Sequence, residues 1–324
     1  MNLARTAPPA AAPEGAERRR SDLRWAVARL LGRLSLPRRV WLVAAILIVP
    51  ALGLRLFTSV YPFLATAWTS LTDESGYRAE TTFIGLANYT ALLDDRVVRQ
   101  ALLFTVVFAG VSTVLELVLG FALALLLNAA FKLRGLARAV ALIPWAIPAI
   151  VSALGFRFIF ADGFGMVPHL LGTVGLEVDW LTHPIAAKAA VIIANVWRTV
   201  PFVAFVILAG LQGVPQELYQ AAKVDGAGWF RTIRSVVVPL VTPLVITMGI
   251  FMVIFQLGTF DTVLGMTGGG PGTATQVAPY LAYQEAFIGL EHGRASGIAM
   301  LLFLIVLGVG VAALRLFRRT EVQL

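Results

Sequence analysis

Residues 217–228 read ELYQAAKVDGAG, Glu217 through Gly228. This polar stretch separates two long apolar segments, and its residues prescribe a short helix with defined ends. Pro215 suits a first helical turn, because its missing N–H would have no partner there. Glu217 then falls near the helix start, where the backbone dipole favours a negative charge. Ala221 and Ala222 are strong helix formers with almost no side chain, so such a helix fits a narrow slot. Gly226 accepts the left-handed conformation that stops a helix. Pro239 and Pro243 then lead into the next apolar segment. A small, capped helix between two spans is suited to docking.

The rest of the chain belongs to a bilayer. Of its 324 residues 58% are hydrophobic and 14% charged, and the mean hydropathy is +0.82. Soluble domains carry about 25% charged residues. A helix crossing the hydrocarbon core needs about 20 apolar residues, and six stretches qualify: about 40–70, 101–128, 139–160, 185–211, 236–260 and 295–314. The strict alternation of a membrane β-barrel is missing. The expected fold class is an all-α membrane protein, a six-helix transmembrane bundle.

Charge sets the expected topology. Residues 1–39 hold nine arginines against Glu14, Glu17 and Asp22, and the loop at 129–138 holds Lys132, Arg134 and Arg138 without an acid. Arg315, Arg318 and Arg319 close the chain, whereas the alternate loops are acidic, as at Asp73, Glu74, Glu80, Asp94 and Asp95. This asymmetry places both termini in the cytoplasm. It also accounts for the +8 net charge without a nucleic-acid partner. Residues 1–39 read as a largely disordered basic tail, 40–318 as the membrane domain with a cytoplasmic loop at 212–235, and 319–324 as a cytoplasmic tail. The first apolar run is too long for the core of a cleaved signal peptide.

Several chemistries are excluded. There is no cysteine, and His169, His183 and His292 are scattered without metal-ligand spacing. The glycines of FDTVLGMTGGGPGTATQ, from Phe260, are not followed by Gly-Lys-Ser/Thr, so they do not form a phosphate-binding loop. No other Walker-type motif, Ser/His/Asp set or paired surface carboxylates argue for an enzyme.

One set of motifs is specific. Gln220-Ala221-Ala222, three residues, Gly226, nine residues, then Val236-x-Val238-Pro239 resembles the EAA loop of ABC-importer permease subunits. NVWRTVPFVAFVILAGLQGVPQELYQAAKVDGAGWF, FDTVLGMTGGGPGTATQ, GLANYTALLDD and ALIPWAIPAIVSALGFRFIF are similar to the carbohydrate-importer permeases of the maltose-transporter type. The resemblance covers roughly residues 40–318. It implies a type I importer permease in the bacterial inner membrane that pairs with a second, homologous permease. It further implies two cytoplasmic ATPase subunits that carry ATP and Mg²⁺, an external sugar-binding protein, and no cofactor on this chain. Coupling to the ATPase then falls to Glu217, Gln220, Ala221, Ala222, Asp225, Gly226, Ala227 and Pro239. Gln220 departs from the family's usual glutamate, so Glu217 or Asp225 would supply any ionic contact.

Polar groups inside spans are functional candidates because their burial is costly. Glu116 reads either as a pathway residue or as a carboxylate bonded to a neighbouring helix or an arginine. Arg157 and Arg198 read as lying towards helix ends, where they snorkel or pair. Gln256 and Thr259, three apart, share a face that Phe255 adjoins. The resemblance makes these three sugar contacts, with Met252 standing where the maltose relative has a small polar residue; polar glue between helices is the other reading. Trp145 and Asn195 are weaker pathway candidates. The sequence thus predicts a permease subunit for ATP-driven import of a mono-, di- or oligosaccharide. A sugar derivative such as glycerol 3-phosphate, or a secondary transporter or channel, is the alternative.

Overall fold

The computed structural model describes residues 36–321, so the tail expected at 1–39 lies outside the described residues as far as residue 35, as do residues 322–324. The chain divides into two units, residues 1–65 and 66–324. In the first, helix α1 (Leu36–Arg55) contains Pro50 and passes into a π-helical turn, Leu56–Val60. Helix α2 (Tyr61–Thr69) follows, and Ile46–Thr69 is long and apolar enough to span a membrane.

The second unit begins within α2, at Thr66, and continues into a folded loop. Thr72 and Phe83 form an isolated antiparallel bridge, and Asn88 Nδ2 donates to the carbonyls of Ser70 (2.9 Å) and Thr72 (2.7 Å). Asn88 belongs to α3 (Ala87–Asp94), the short helix of the GLANYTALLDD motif. Asp95 then caps α4 (Arg96–Asn128) by accepting the Val97 N–H at 2.7 Å, which satisfies one of the orphan donors of a helix start. Arg294 bonds to both Asp95 and Glu285, tying this corner to the last helix.

The span expected at 139–160 is two helices, α5 (Arg134–Ala146) and α6 (Ala149–Ile159), meeting at 91°. The cause is local. Pro148 disfavours the helical conformation in the residue before it, and Ile147 is accordingly extended at φ −75°, ψ 131°. After α7 (Met166–Gly172), helix α8 (Pro184–Gln212) starts with proline in its first turn. The polar stretch forms α9 (Gln216–Val224), and α10 (Trp229–Thr232) runs through a π-helical turn, Ile233–Val237, into α11 (Val238–Leu257). Helices α12 (Asp261–Met266) and α13 (Ala278–Tyr283) fold the glycine-rich segment back on the bundle before α14 (His292–Glu321). Ala278 N–H donates to Thr105 Oγ1 at 2.8 Å, which anchors that segment on α4.

The core of this unit has distinct apolar layers. One joins Ala124 and Leu127 of α4, Val203, Ala204, Ile207 and Leu208 of α8, and Val241, Met248 and Met252 of α11. Another joins Phe104 and Phe108 of α4, Val191 and Ala194 of α8, and Val263 and Met266 of α12. A smaller group, Leu92, Val98, Ala101, Leu281 and Ile298, packs α3 and α14 on α4. Close approach of α4 and α8 depends on Gly120, where a Cβ would lie 2.7 Å from Val203 Cγ1. Small residues at a membrane helix crossing serve this purpose.

Candidate functional site

Between the two large apolar layers lies a polar one. Glu116 follows Phe108 by eight residues on α4, a rise of about 12 Å, and precedes Ala124 by the same interval. At this level Glu116, Asn195 and Gln256 are each fully buried. Gln256 Nε2 donates to Glu116 Oε1 at 2.5 Å, and Asn195 Nδ2 donates to Gln256 Oε1 at 3.0 Å and to Glu116 Oε1 at 3.4 Å. Thr259 Oγ1 donates to Gln256 Oε1 at 3.0 Å, and Thr262 Oγ1 to Asn195 Oδ1 at 3.4 Å. Thr199 Oγ1 turns back to the Asn195 carbonyl at 2.6 Å. Four helices, α4, α8, α11 and α12, are thereby fastened at one depth. Glu116 Oε2, Ser112 Oγ and Thr113 Oγ1 are buried without a hydrogen-bond partner among the described residues.

Of the six pathway candidates, the structure therefore brings four together: Glu116, Asn195, Gln256 and Thr259. Phe255 and Trp145 stand apart. Successive helical positions differ by about 100°, so with Gln256 turned inward Phe255 points out and is 48% exposed. It stacks on Phe251 at 6.1 Å and 19°; Phe251 lies 6.1 Å from Phe202, and Phe202 stacks on Trp145 at 5.5 Å and 14°. Trp145, Phe202, Phe251 and Phe255 thus form one continuous row of rings across α5, α8 and α11. Phe202 and Phe251 were missed in the sequence, although Phe251 precedes Phe255 by four, the spacing of neighbours on a helix. Arg198 lies at the middle of α8, not towards its end, and its Nε has no hydrogen-bond partner among the described residues. Arg157 is in the last turn of α6.

At the end of the bundle where α4 and α8 finish, α9 has the geometry its residues prescribe. Gly226 has φ +73°, its N–H bonds the Lys223 carbonyl at 3.1 Å, and the Ala227 N–H bonds the Ala222 carbonyl at 2.9 Å. These two bonds make a Schellman cap, with glycine at the position that needs positive φ. Pro215 sits one residue before the helix rather than inside it. The two alanines part company: Ala222 is buried against the bundle while Ala221 is exposed beside Glu217 and Gln220. Asp225 and Pro239 are also exposed, and Ala227 is partly buried. Val224, Trp229 and Phe230 add an apolar surface next to α9, with exposures of 88%, 70% and 69%.

The profile of the family described as "Binding-protein-dependent transport system inner membrane component" matches residues 116–319, from the carboxylate of the polar layer into the last turn of α14. The chain belongs to this family. The permease is 39% identical over 277 residues to the trehalose/maltose transport system permease protein of Thermococcus litoralis, covering 85% of this chain and 94% of the relative. It is 37% identical to the sulfoquinovosyl glycerol transport system permease protein of Agrobacterium fabrum, covering 86% and 92%. Its fold matches a chain of a bacterial ABC transporter that imports the polysaccharide alginate, with a TM-score of 0.75, 22% identity, and coverage of 90% and 99%. It is a multi-pass membrane permease subunit of a binding-protein-dependent importer, and the polar layer, aromatic row and α9 are parts of that subunit.

Proposed function

We propose that the permease imports a carbohydrate, driven by ATP hydrolysis on separate subunits, with both of its own termini in the cytoplasm. It pairs with a second, homologous permease, two cytoplasmic ATPase subunits that carry ATP and Mg²⁺, and an external sugar-binding protein. Resemblance to relatives named for trehalose/maltose and sulfoquinovosyl glycerol supports a sugar or sugar conjugate. In this reading α9 is the coupling helix. Its outward face of Glu217, Gln220, Ala221 and Asp225, flanked by the apolar Val224, Trp229 and Phe230, enters the ATPase. Gly226 fixes the helix end and Pro239 passes motion to α11. An exposed apolar patch rimmed by charge is what a docking surface requires.

The observation that carries the transport path is the aromatic row. The rings from Trp145 to Phe255 offer flat apolar faces, suited to the C–H faces of a sugar, on the surface that the partner permease completes. The buried layer of Glu116, Asn195, Gln256 and Thr259 backs this wall and holds α11 in register. Deleting Gln220–Gly226 tests the coupling role: uptake and substrate-stimulated ATP hydrolysis by the assembled transporter are lost while membrane insertion is kept. Normal substrate-stimulated ATP hydrolysis by the deletion variant would refute it.

A further inference from the structure

Behind α9, on the side away from its docking face, a crevice of about 640 Å³ opens towards the start of α5. Arg134, Arg138, Gln212, Gln216, Tyr219 and Lys223 line it, and no carboxylate does. Gln216, Tyr219 and Lys223 recur at intervals of three and four, so one stripe of α9 faces this space. Arg138 is held in place: its Nε and Nη2 donate to the Leu127 carbonyl at 3.3 and 2.9 Å, near the end of α4. That leaves donors on Nη1 uncommitted. Arg134 and Lys223 enter no ion pair among the described residues. A general preference for basic residues on one side of the membrane explains which end carries these cations. It does not explain their convergence, with amide and phenol donors, on one concave space.

We infer that the crevice between α9 and the α4–α5 connection binds a phosphate ester, with Arg134, Arg138 and Lys223 as its cationic donors. Guanidinium groups match phosphate oxygens in pairs, and lysine adds a point charge. A second cleft of about 260 Å³ shares Asn128, Tyr219 and Lys223 and runs on between Leu125, Trp229 and Ile233. A largely apolar cleft beside a phosphate site fits a phospholipid, and basic pockets at helix ends take such headgroups. A soluble phosphate ester would use the same donors. Bound there, the anion joins the back of α9 to the bundle and so stiffens the lever, an action that rests on the coupling role proposed above.

The test measures binding, which is independent of transport. The full chain, purified with its partner subunits, is placed in nanodiscs of phosphatidylcholine with or without phosphatidylglycerol, and retained lipid is counted by native mass spectrometry. A parallel titration uses methyl phosphate, a soluble monoester, in nanodiscs of phosphatidylcholine alone. Phosphatidylglycerol retention, methyl phosphate binding, or both are expected in the native protein, and the arm that responds identifies the source. The double variant Arg134→Gln/Lys223→Gln is expected to weaken that binding by roughly ten-fold or more. Both residues are exposed, so the fold is retained. Arg231→Gln, an exposed cation at the same end outside the crevice, is expected to leave binding unchanged. Binding in neither arm, an undiminished double variant, or an equal loss in Arg231→Gln would overturn the inference.

Discussion

Replacing Glu116 separates a fastening role from a charge-dependent one. Its Oε1 accepts from Gln256 at 2.5 Å and from Asn195 at 3.4 Å, and no water-accessible surface surrounds it. In Glu116→Ala the Gln256 amide loses its acceptor inside the bundle. An orphaned buried polar group costs about 1–3 kcal/mol, whereas measured hydrogen bonds between membrane helices average about 0.6 kcal/mol. Adding the cavity left by the removed side chain, the loss is about 2–4 kcal/mol. In Glu116→Gln the side-chain carbonyl still accepts from Gln256, so the expected loss is below about 1 kcal/mol. Unfolding of the purified transporter in mixed micelles, followed by loss of helical signal, reads both numbers, and uptake into proteoliposomes reads function. A fastening residue gives Glu116→Gln near-native stability and uptake, with Glu116→Ala impaired in both. If Glu116→Gln abolished uptake at native stability, the carboxylate would be acting through its charge and the reasoning would be wrong.

Other perturbations test the frame around this layer. Gly120→Val drives a side chain into Val203, whose Cγ1 would lie 2.7 Å from the new Cβ; overpacking of this kind costs about 1–3 kcal/mol. Adding Val203→Ala should restore part of that loss in the same unfolding assay, and the absence of any rescue would mean that α4 and α8 do not meet there. At the corner where α3, α4 and α14 meet, burial opposes ionisation of Asp95, but the bonds from Arg294 and the Val97 N–H outweigh it and hold its carboxyl below the ordinary range. A carboxylate with a depressed folded-state pKa stabilises at pH above its unfolded value of about 3.9. That contribution is lost as pH falls through the folded value. Native stability should therefore decline on acidification more steeply than that of Asp95→Asn, and parallel acid profiles would count against the Asp95–Arg294 tie.

Most of the spans were legible because each needs only length and hydropathy, and α9 was legible because its ends are written locally. Gly226 illustrates the second case. A glycine after a run of helix formers needs no tertiary partner to take positive φ, and it adopts +73°. The 91° bend between α5 and α6 was also written locally, in Pro148, but a hydropathy window averages over it and returns one straight span. Side-chain direction on α11 was harder to read. Residues 238–257 are apolar around the whole circumference, so no polar stripe distinguishes the inward face, and Phe255 was grouped with Gln256 by adjacency in sequence. Which of the two points inward depends on where α4 and α8 place Glu116 and Asn195, information that is 140 and 61 residues away.

For the transport path proposed above, the consequence is a division of labour on one helix. Gln256 makes its hydrogen bonds inward and is fully buried, so a sugar reaching its amide would have to break bonds to Glu116 and Asn195. Phe255, one position on, is half exposed and joined to three further rings. A path that must bind a sugar weakly enough to release it gains little from displacing buried hydrogen bonds, each of which leaves an orphan behind. Stacking on a row of rings carries no such penalty and offers several equivalent positions along the way. On that proposal, hydrogen bonds to a passing sugar would have to come from groups outside the buried layer, and a second permease subunit facing the row would be the place to look for them.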